Sequence, residues 1–139
     1  MKSGKIALLI ALFSLNLFAV PTNISVVTTG QAAAAFADVT GDTVNGNQIR
    51  NNNGDLVLLL RNSHGTDSVT VTIDAPSTSY SIPGYGTLTR SDISVSLAAG
   101  EMKHVGVLNS TWNDANGYVQ LTYTGTGTPK VTAIRSPKP

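Results

Sequence analysis

The chain has 139 residues, of which 41% are hydrophobic and 12% charged, with a formal net charge of +1 and no cysteine. That length holds one domain with at most an appendage, and a body of ~115 residues buries enough surface for a real core. The missing cysteine excludes disulfides, thiolate chemistry and cysteine-based zinc sites, and the singly scattered Lys and Arg form no basic stripe for nucleic acid.

Residues 1–22 form an apolar N-terminal segment. Lys2 and Lys5 precede the run from Ile6 to Phe13, which continues to Val20 diluted by Ser14 and Asn16. A basic head before such a run has the pattern of a secretory signal. Ala19 suits the residue before a cut, but Leu17 is too large for its own place in that motif. The run is short for a spanning helix, and Pro21 ends any helix. Three readings stay open: a cleaved signal, a retained apolar arm that docks on a partner, and a start assigned too early. The chain meets a membrane only if this segment is a retained anchor.

Residues 23–135 read as one β domain. Asn23 to Thr29 suits a short strand or an extended arm, and Gln31 to Phe36 a strand or loop leading into Ala37-Asp38-Val39. Thr40 to Gly54 is turn chemistry, rich in Asn and Gly, and Asn53-Gly54 is a hairpin signal before Leu56–Leu60. A second hairpin is expected between 56–61 and 68–74, joined through Asn62 to Asp67. A long loop follows from Ala75 to Arg90, anchored by Tyr80, Ile82 and Tyr85. Then come 92–97, the turn Ala98 to Glu101, and 102–108. A loop with Trp112, Asn113 and Asp114 precedes 118–124, and the last strand is 130–135. Residues 136–139 are expected to be a flexible tail. Val69 to Ile73, Ile93 to Leu97 and Val119 to Tyr123 each alternate apolar with polar, the period of a half-buried strand. Seven or eight short strands with turns at this spacing predict an all-β fold: a single antiparallel β-sandwich, Ig-like or jelly-roll-like.

The candidate sites are few. Asp38, Thr40 and Asp42 have the spacing that opens a calcium loop, but Thr43 stands where glycine is needed and Ile49 where the closing acid belongs. The stretch is read as an Asx-rich turn, and no metal or cofactor is expected. His64 falls in a loop. His104 falls in a strand, opposite the face of Val105 and Val107. No Gly-x-Ser-x-Gly elbow accompanies either imidazole, and Glu101 has no second acid nearby in sequence. Trp112 with Asn113, Asp114 and Tyr118 forms the best binding candidate, since an aromatic beside an amide and a carboxylate suits a sugar or a protein anchor. The competing reading makes Trp112 a plug for the end of the sandwich. Tyr80 and Tyr85 carry the same ambiguity. Asn23-Ile24-Ser25 and Asn109-Ser110-Thr111 fit the glycosylation pattern, which a bacterial or viral origin would leave idle.

From Asp55 to Arg135 the chain resembles small auxiliary capsid proteins, the decoration or cement proteins, of tailed bacteriophages. The resemblance rests on Gly54-Asp55-Leu56 running to Asn62, Ser68 to Ile73, and Val95-Ser96-Leu97-Ala98-Ala99-Gly100. It continues through Val105 to Asp114, then Gly117-Tyr118-Val119-Gln120-Leu121-Thr122-Tyr123-Thr124, and closes with Val131-Thr132-Ala133-Ile134-Arg135. The resemblance implies a β-sandwich without catalysis, present in many copies on a shell. The expected function is therefore a virion structural subunit at the capsid surface, bound to the major capsid protein and self-associating as a homo-oligomer. The apolar N-terminus departs from that pattern. It supports the alternative of a secreted or periplasmic Ig-like binding module, an adhesin or a carbohydrate-binding domain.

Overall fold

The computed structural model describes residues 20–28, 36–52, 54–76 and 79–135. The expectations for residues 1–19, for Gln31 to Ala35, for Asn53 and for the tail 136–139 lie outside them. In chain order the strands are β1 (Thr22–Ile24), β2 (Val26–Thr28), β3 (Val39–Thr40), β4 (Asn47–Arg50), β5 (Leu56–Asn62) and β6 (Val69–Ile73). They continue as β7 (Ser79–Ile82), β8 (Gly86–Thr89), β9 (Ile93–Leu97), β10 (Met102–Leu108), β11 (Tyr118–Gly125) and β12 (Pro129–Arg135). A single 3₁₀ turn, Ser110–Trp112, interrupts the loop before β11.

Two sheets pack against each other. The first has the order β1-β4-β11-β6-β9, the second β10-β5-β12-β2, with β3 also on β12. Alternation decides which side chains meet between them. Leu56, Leu58 and Leu60 of β5 point inward and are fully buried, as are Val71 and Ile73 of β6, Val119 of β11 and Val131 of β12. The outer face of the first sheet carries hydroxyls instead. Thr70 lies 3.0 Å from Ser96 and Thr72 3.4 Å from Ser94, oxygen to oxygen, across neighbouring strands. Such cross-strand pairs cover a solvated face without charge.

The strands that alternation predicts are present among the twelve, but their connections are not those expected. The expected hairpin between 56–61 and 68–74 does not form: β5 pairs with β10 and β12, whereas β6 pairs with β9 and β11. The Asn53-Gly54 signal likewise marks a passage between sheets, because β4 pairs with β1 and β11 and not with β5. Gly54 is required there for a different reason. Its φ is +71°, and a Cβ would lie 2.6 Å from the Ser110 nitrogen. The region 40–54 is not all turn, since β4 lies within it. The segment 75–90 is not a plain loop, since β7 and β8 pair into a ribbon. The sheets are mixed rather than purely antiparallel: β1 runs parallel to β4 and β2 parallel to β12. Val107 is 64% exposed, because a register shift between Val105 and Leu108 turns it away from the core.

Three consecutive passages between sheets are each closed by a buried asparagine. At β3 to β4, the Asn47 amide oxygen accepts from Asp42 N–H at 2.9 Å and from the Tyr123 hydroxyl at 2.6 Å. At β4 to β5, Asn51 Nδ2 donates to Leu108 O, Asn109 O and Asn113 Oδ1, while Asn113 Nδ2 donates back to Asn51 O at 2.9 Å. At β5 to β6, Asn62 Nδ2 donates to Asp67 O, Leu97 O and Ala98 O, and its Oδ1 accepts from His64 N–H and Thr128 N–H. All three side chains are fully buried. Each supplies the partners that the main chain loses as it leaves a ladder.

Asn62→Ala is expected to cost about 3 kcal/mol, because it removes the partner of two partly buried N–H groups and of the carbonyls of Asp67, Leu97 and Ala98. Asn62→Asp, which sets a carboxylate against those carbonyls, is expected to cost at least as much. Urea denaturation of both variants measures this, and a loss below about 1 kcal/mol refutes the assignment.

Candidate functional site

The predicted binding residues Trp112, Asn113, Asp114, Tyr80 and Tyr85 fall at one end of the sandwich. β4 and β12 end there, β11 begins there, and the 109–117 loop and the β7–β8 ribbon lie beyond. The chain enters from the other side, since Thr22 N–H donates to Gly46 O and β1 then runs parallel to β4 toward Arg50.

Within this end the predicted residues divide by role. Trp112 is half-buried, and its indole packs on the core. The Arg90 guanidinium lies over the ring at 4.7 Å from its centroid, and Arg90 Nη1 donates to Thr111 O at 2.6 Å. That contact ties the segment after β8 to the 3₁₀ turn, with the stacking energy of a cation on an indole face. Asn109 caps the turn, its Oδ1 accepting from Thr111 N–H at 3.1 Å. Asn113 is the reciprocal partner of Asn51. Asp114 closes the turn into β11 by accepting from Asn116 N–H at 2.8 Å, Tyr118 N–H at 3.0 Å and Gln120 Nε2 at 2.7 Å. Trp112, Asn113 and Asp114 are adjacent, as the sequence places them, but their polar atoms and most of the indole are spent on the fold.

Tyr85 behaves differently. It sits in the turn between β7 and β8 and is 89% exposed, and Leu88 on β8 is 58% exposed. Gly84 and Gly86 flank Tyr85 with φ of +82° and +91°, which lets the ribbon reverse tightly. Tyr80 lies opposite Leu88 in the ribbon's register, but its side chain lies outside the described part of the structure. The ribbon's strands hydrogen-bond to each other and join neither large sheet.

Several of the remaining ionisable groups also serve turns. Asp42 accepts from the N–H groups of Asn45 and Val44, from Asn45 Nδ2 and from the Thr22 hydroxyl, which holds its carboxyl at about 2. This is the Asx turn that the calcium spacing mimics, and Asp38 lies elsewhere, against Thr132 and Arg61. The Thr132 hydroxyl and then Arg61 lower the Asp38 pKa. Hydrogen bonds from the Thr126 and Thr66 hydroxyls lower Asp67, and the Ala98 N–H with Lys103 lowers Glu101. For Asp114 burial pulls upward, but the bonds from Tyr118, Gln120, Asn116 and Gly117 outweigh it and the pKa is lowered. Asp74 moves the other way, raised by burial and by the Asp92 charge. His64 Nδ1 accepts from Asp67 N–H at 3.0 Å, and His104 is exposed. Among the described residues no group of three or more His, Asp or Glu side chains is placed to hold a metal ion.

Sequence reasoning missed Arg50 and Arg135, which meet Tyr118 of the predicted loop group around a cleft where β1 passes into β2. Arg50 and Tyr118 are cross-strand neighbours, but a pairing between strands so distant in sequence leaves no local signal. No family model matches the chain, and neither a curated protein nor a solved structure matches it.

Two predictions follow from the roles of these side chains. Trp112→Ala is expected to cost about 2 kcal/mol of stability, whereas Tyr85→Ala changes it by less than about 0.5 kcal/mol; thermal melts compare them. Five carboxyls with depressed folded values lend stability that is present above their unfolded pKa and lost as pH falls through the folded value. For Asp42 that window runs from 3.8 down to about 2. Asp74 has the opposite sign and relieves only part of the loss. The urea midpoint is therefore expected to fall between about pH 4 and pH 2, and less so in Asp42→Asn, which starts lower at neutral pH.

Proposed function

We propose that this protein is an auxiliary structural subunit of a bacteriophage shell, a decoration or cement protein that binds the major capsid protein and works in many copies as a homo-oligomer. The observation that carries the reading is the β7–β8 ribbon. A two-stranded ribbon is marginal by itself, yet this one holds Tyr85 and Leu88 out in water at the end of a well-packed sandwich. Docking across neighbouring shell subunits would bury both side chains and complete the ribbon. Each bound copy then stabilises the assembled state by mass action. The mechanism asks for no catalytic group. Thr22, the first residue of β1, lies at the opposite end beside Gly46, and the ribbon end is assigned the contact with the shell.

The second reading is a secreted or periplasmic Ig-like binding module, favoured by Lys2, Lys5 and the apolar run after them. A mature amino terminus near Val20 on protein recovered from the periplasm selects it.

The test is co-sedimentation with shells assembled from the major capsid protein of the same genome. Wild-type protein is expected to pellet with them, and Tyr85→Ala with Leu88→Ala to weaken binding by about tenfold or more with unchanged melting. Protein that stays in the supernatant at all ratios refutes the proposal.

A further inference from the structure

A cleft of 270 Å³ opens where the first two strands change sheets. β1 ends at Ile24 on the first sheet, Ser25 makes the passage, and β2 begins at Val26 on the second. Ile24 and Val26 give the cleft an apolar lining, and Asn23 and Ser25 a polar one. Gln48 Nε2 donates to Asn23 Oδ1 at 2.8 Å and fixes that amide. Arg50, Tyr118 and Arg135 complete the lining, which contains no acid.

Arg50 is the informative residue. Its Nε donates to Asn52 Oδ1 at 2.6 Å, its guanidinium lies 5.0 Å from the centroid of the Tyr118 ring, and its main-chain oxygen accepts from Arg135 Nη2 at 3.0 Å. The group is held in place on one edge and one face. Among the described residues, Arg50 forms no ion pair, and its two terminal nitrogens donate to no protein acceptor. Arg61 and Lys103, by contrast, pair with Asp38 and Glu101. Ordering a long side chain costs entropy, and here that cost is already met before any ligand arrives. A guanidinium presents parallel N–H donors that match a planar carboxylate.

We infer that this cleft binds a carboxylated sugar, with the acid on Arg50, ring hydroxyls on Asn23 and Ser25, and the apolar edge of the ring against Val26. The volume is below the ~300 Å³ at which pockets for larger ligands begin, so it suits one ring and not an extended chain. The mixture of guanidinium charge from Arg50 and Arg135, two small polar side chains and an apolar strip is what a sugar acid requires; a bare anion has no use for the last two. The cleft shares its end of the sandwich with the β7–β8 ribbon, but its lining includes neither Tyr85 nor Leu88.

The test is NMR titration of the whole protein with sodium glucuronate, N-acetylneuraminate, glucose and inorganic phosphate, each to about 20 mM. One of the two acidic sugars is expected to shift the amides of Asn23, Ser25 and Arg50 and to saturate, with glucose and phosphate binding at least about tenfold more weakly. Arg50→Gln is expected to lose the response by a similar factor, and Arg50→Lys to recover only part of it, since the charge returns without the fork. Arg61→Gln retains it. Absence of saturable shifts with either acidic sugar overturns the assignment, whatever the variants do. So does equal binding of phosphate, which would make the cleft a simple anion site. Melting curves confirm that each variant is folded.

Discussion

The structure depends on amide side chains buried where the main chain passes from one sheet to the other. A two-sheet fold must break its ladders at every passage, and each break leaves N–H and C=O groups inside the protein. An unpaired buried amide costs more than a hydrogen bond contributes when made. Water cannot repair the deficit under a packed edge. Asn47, Asn51 and Asn62 do so, because one asparagine offers two donors and an acceptor on a short, stiff stem. Asn62 alone joins the end of β5, the loop before β6, the end of β9 and the start of β12. Leu97, Ala98 and Thr128 are remote from Asn62 in sequence, so those bonds require the docked sheets. Gly127 belongs to the same arrangement: a Cβ there would lie 2.9 Å from both polar atoms of the Asn62 amide.

This allocation of polar groups bears on function. Asn113, Asp114 and Asp42 have the chemistry of a binding loop but spend it on turns. Trp112 has the surface of an anchor but lies against the core under Arg90. What is left for recognition is outside these arrangements: the Tyr85 ribbon at one end, and the Arg50 cleft at the passage from β1 to β2. The first is apolar and suits the broad partner proposed for it. The second is charged and narrow and suits the small ligand inferred for it.

Much of the fold was legible in the sequence, for a physical reason. Val69 to Ile73 and Val119 to Tyr123 alternate because one face is buried, and that face remains buried whichever strands are neighbours. Pairing is another matter. Leu56–Leu60 and Val69–Ile73 look like a hairpin because the intervening Asn-Ser-His-Gly stretch has turn chemistry, and turn chemistry does not say whether the chain returns to its own sheet or crosses to the other. The deciding element was Asn62 itself, whose side chain faces inward at the end of β5. A polar residue at the inward position of an otherwise apolar strand was the available clue. The ribbon was hidden among Pro and Gly residues that punctuate without specifying. The Arg50 cleft was invisible, since β1, β4, β11 and β12 come together only through tertiary pairing.

The most direct test of the buried-amide account is hydrogen exchange at the side chains. The Nδ2 protons of Asn51 and Asn62, followed by NMR in deuterated water, are predicted to exchange only on global opening, as slowly as the main-chain amides of Leu58 and Val71 at the centres of β5 and β6. Exchange at the rate of an exposed amide, while those strands remain protected, would contradict it.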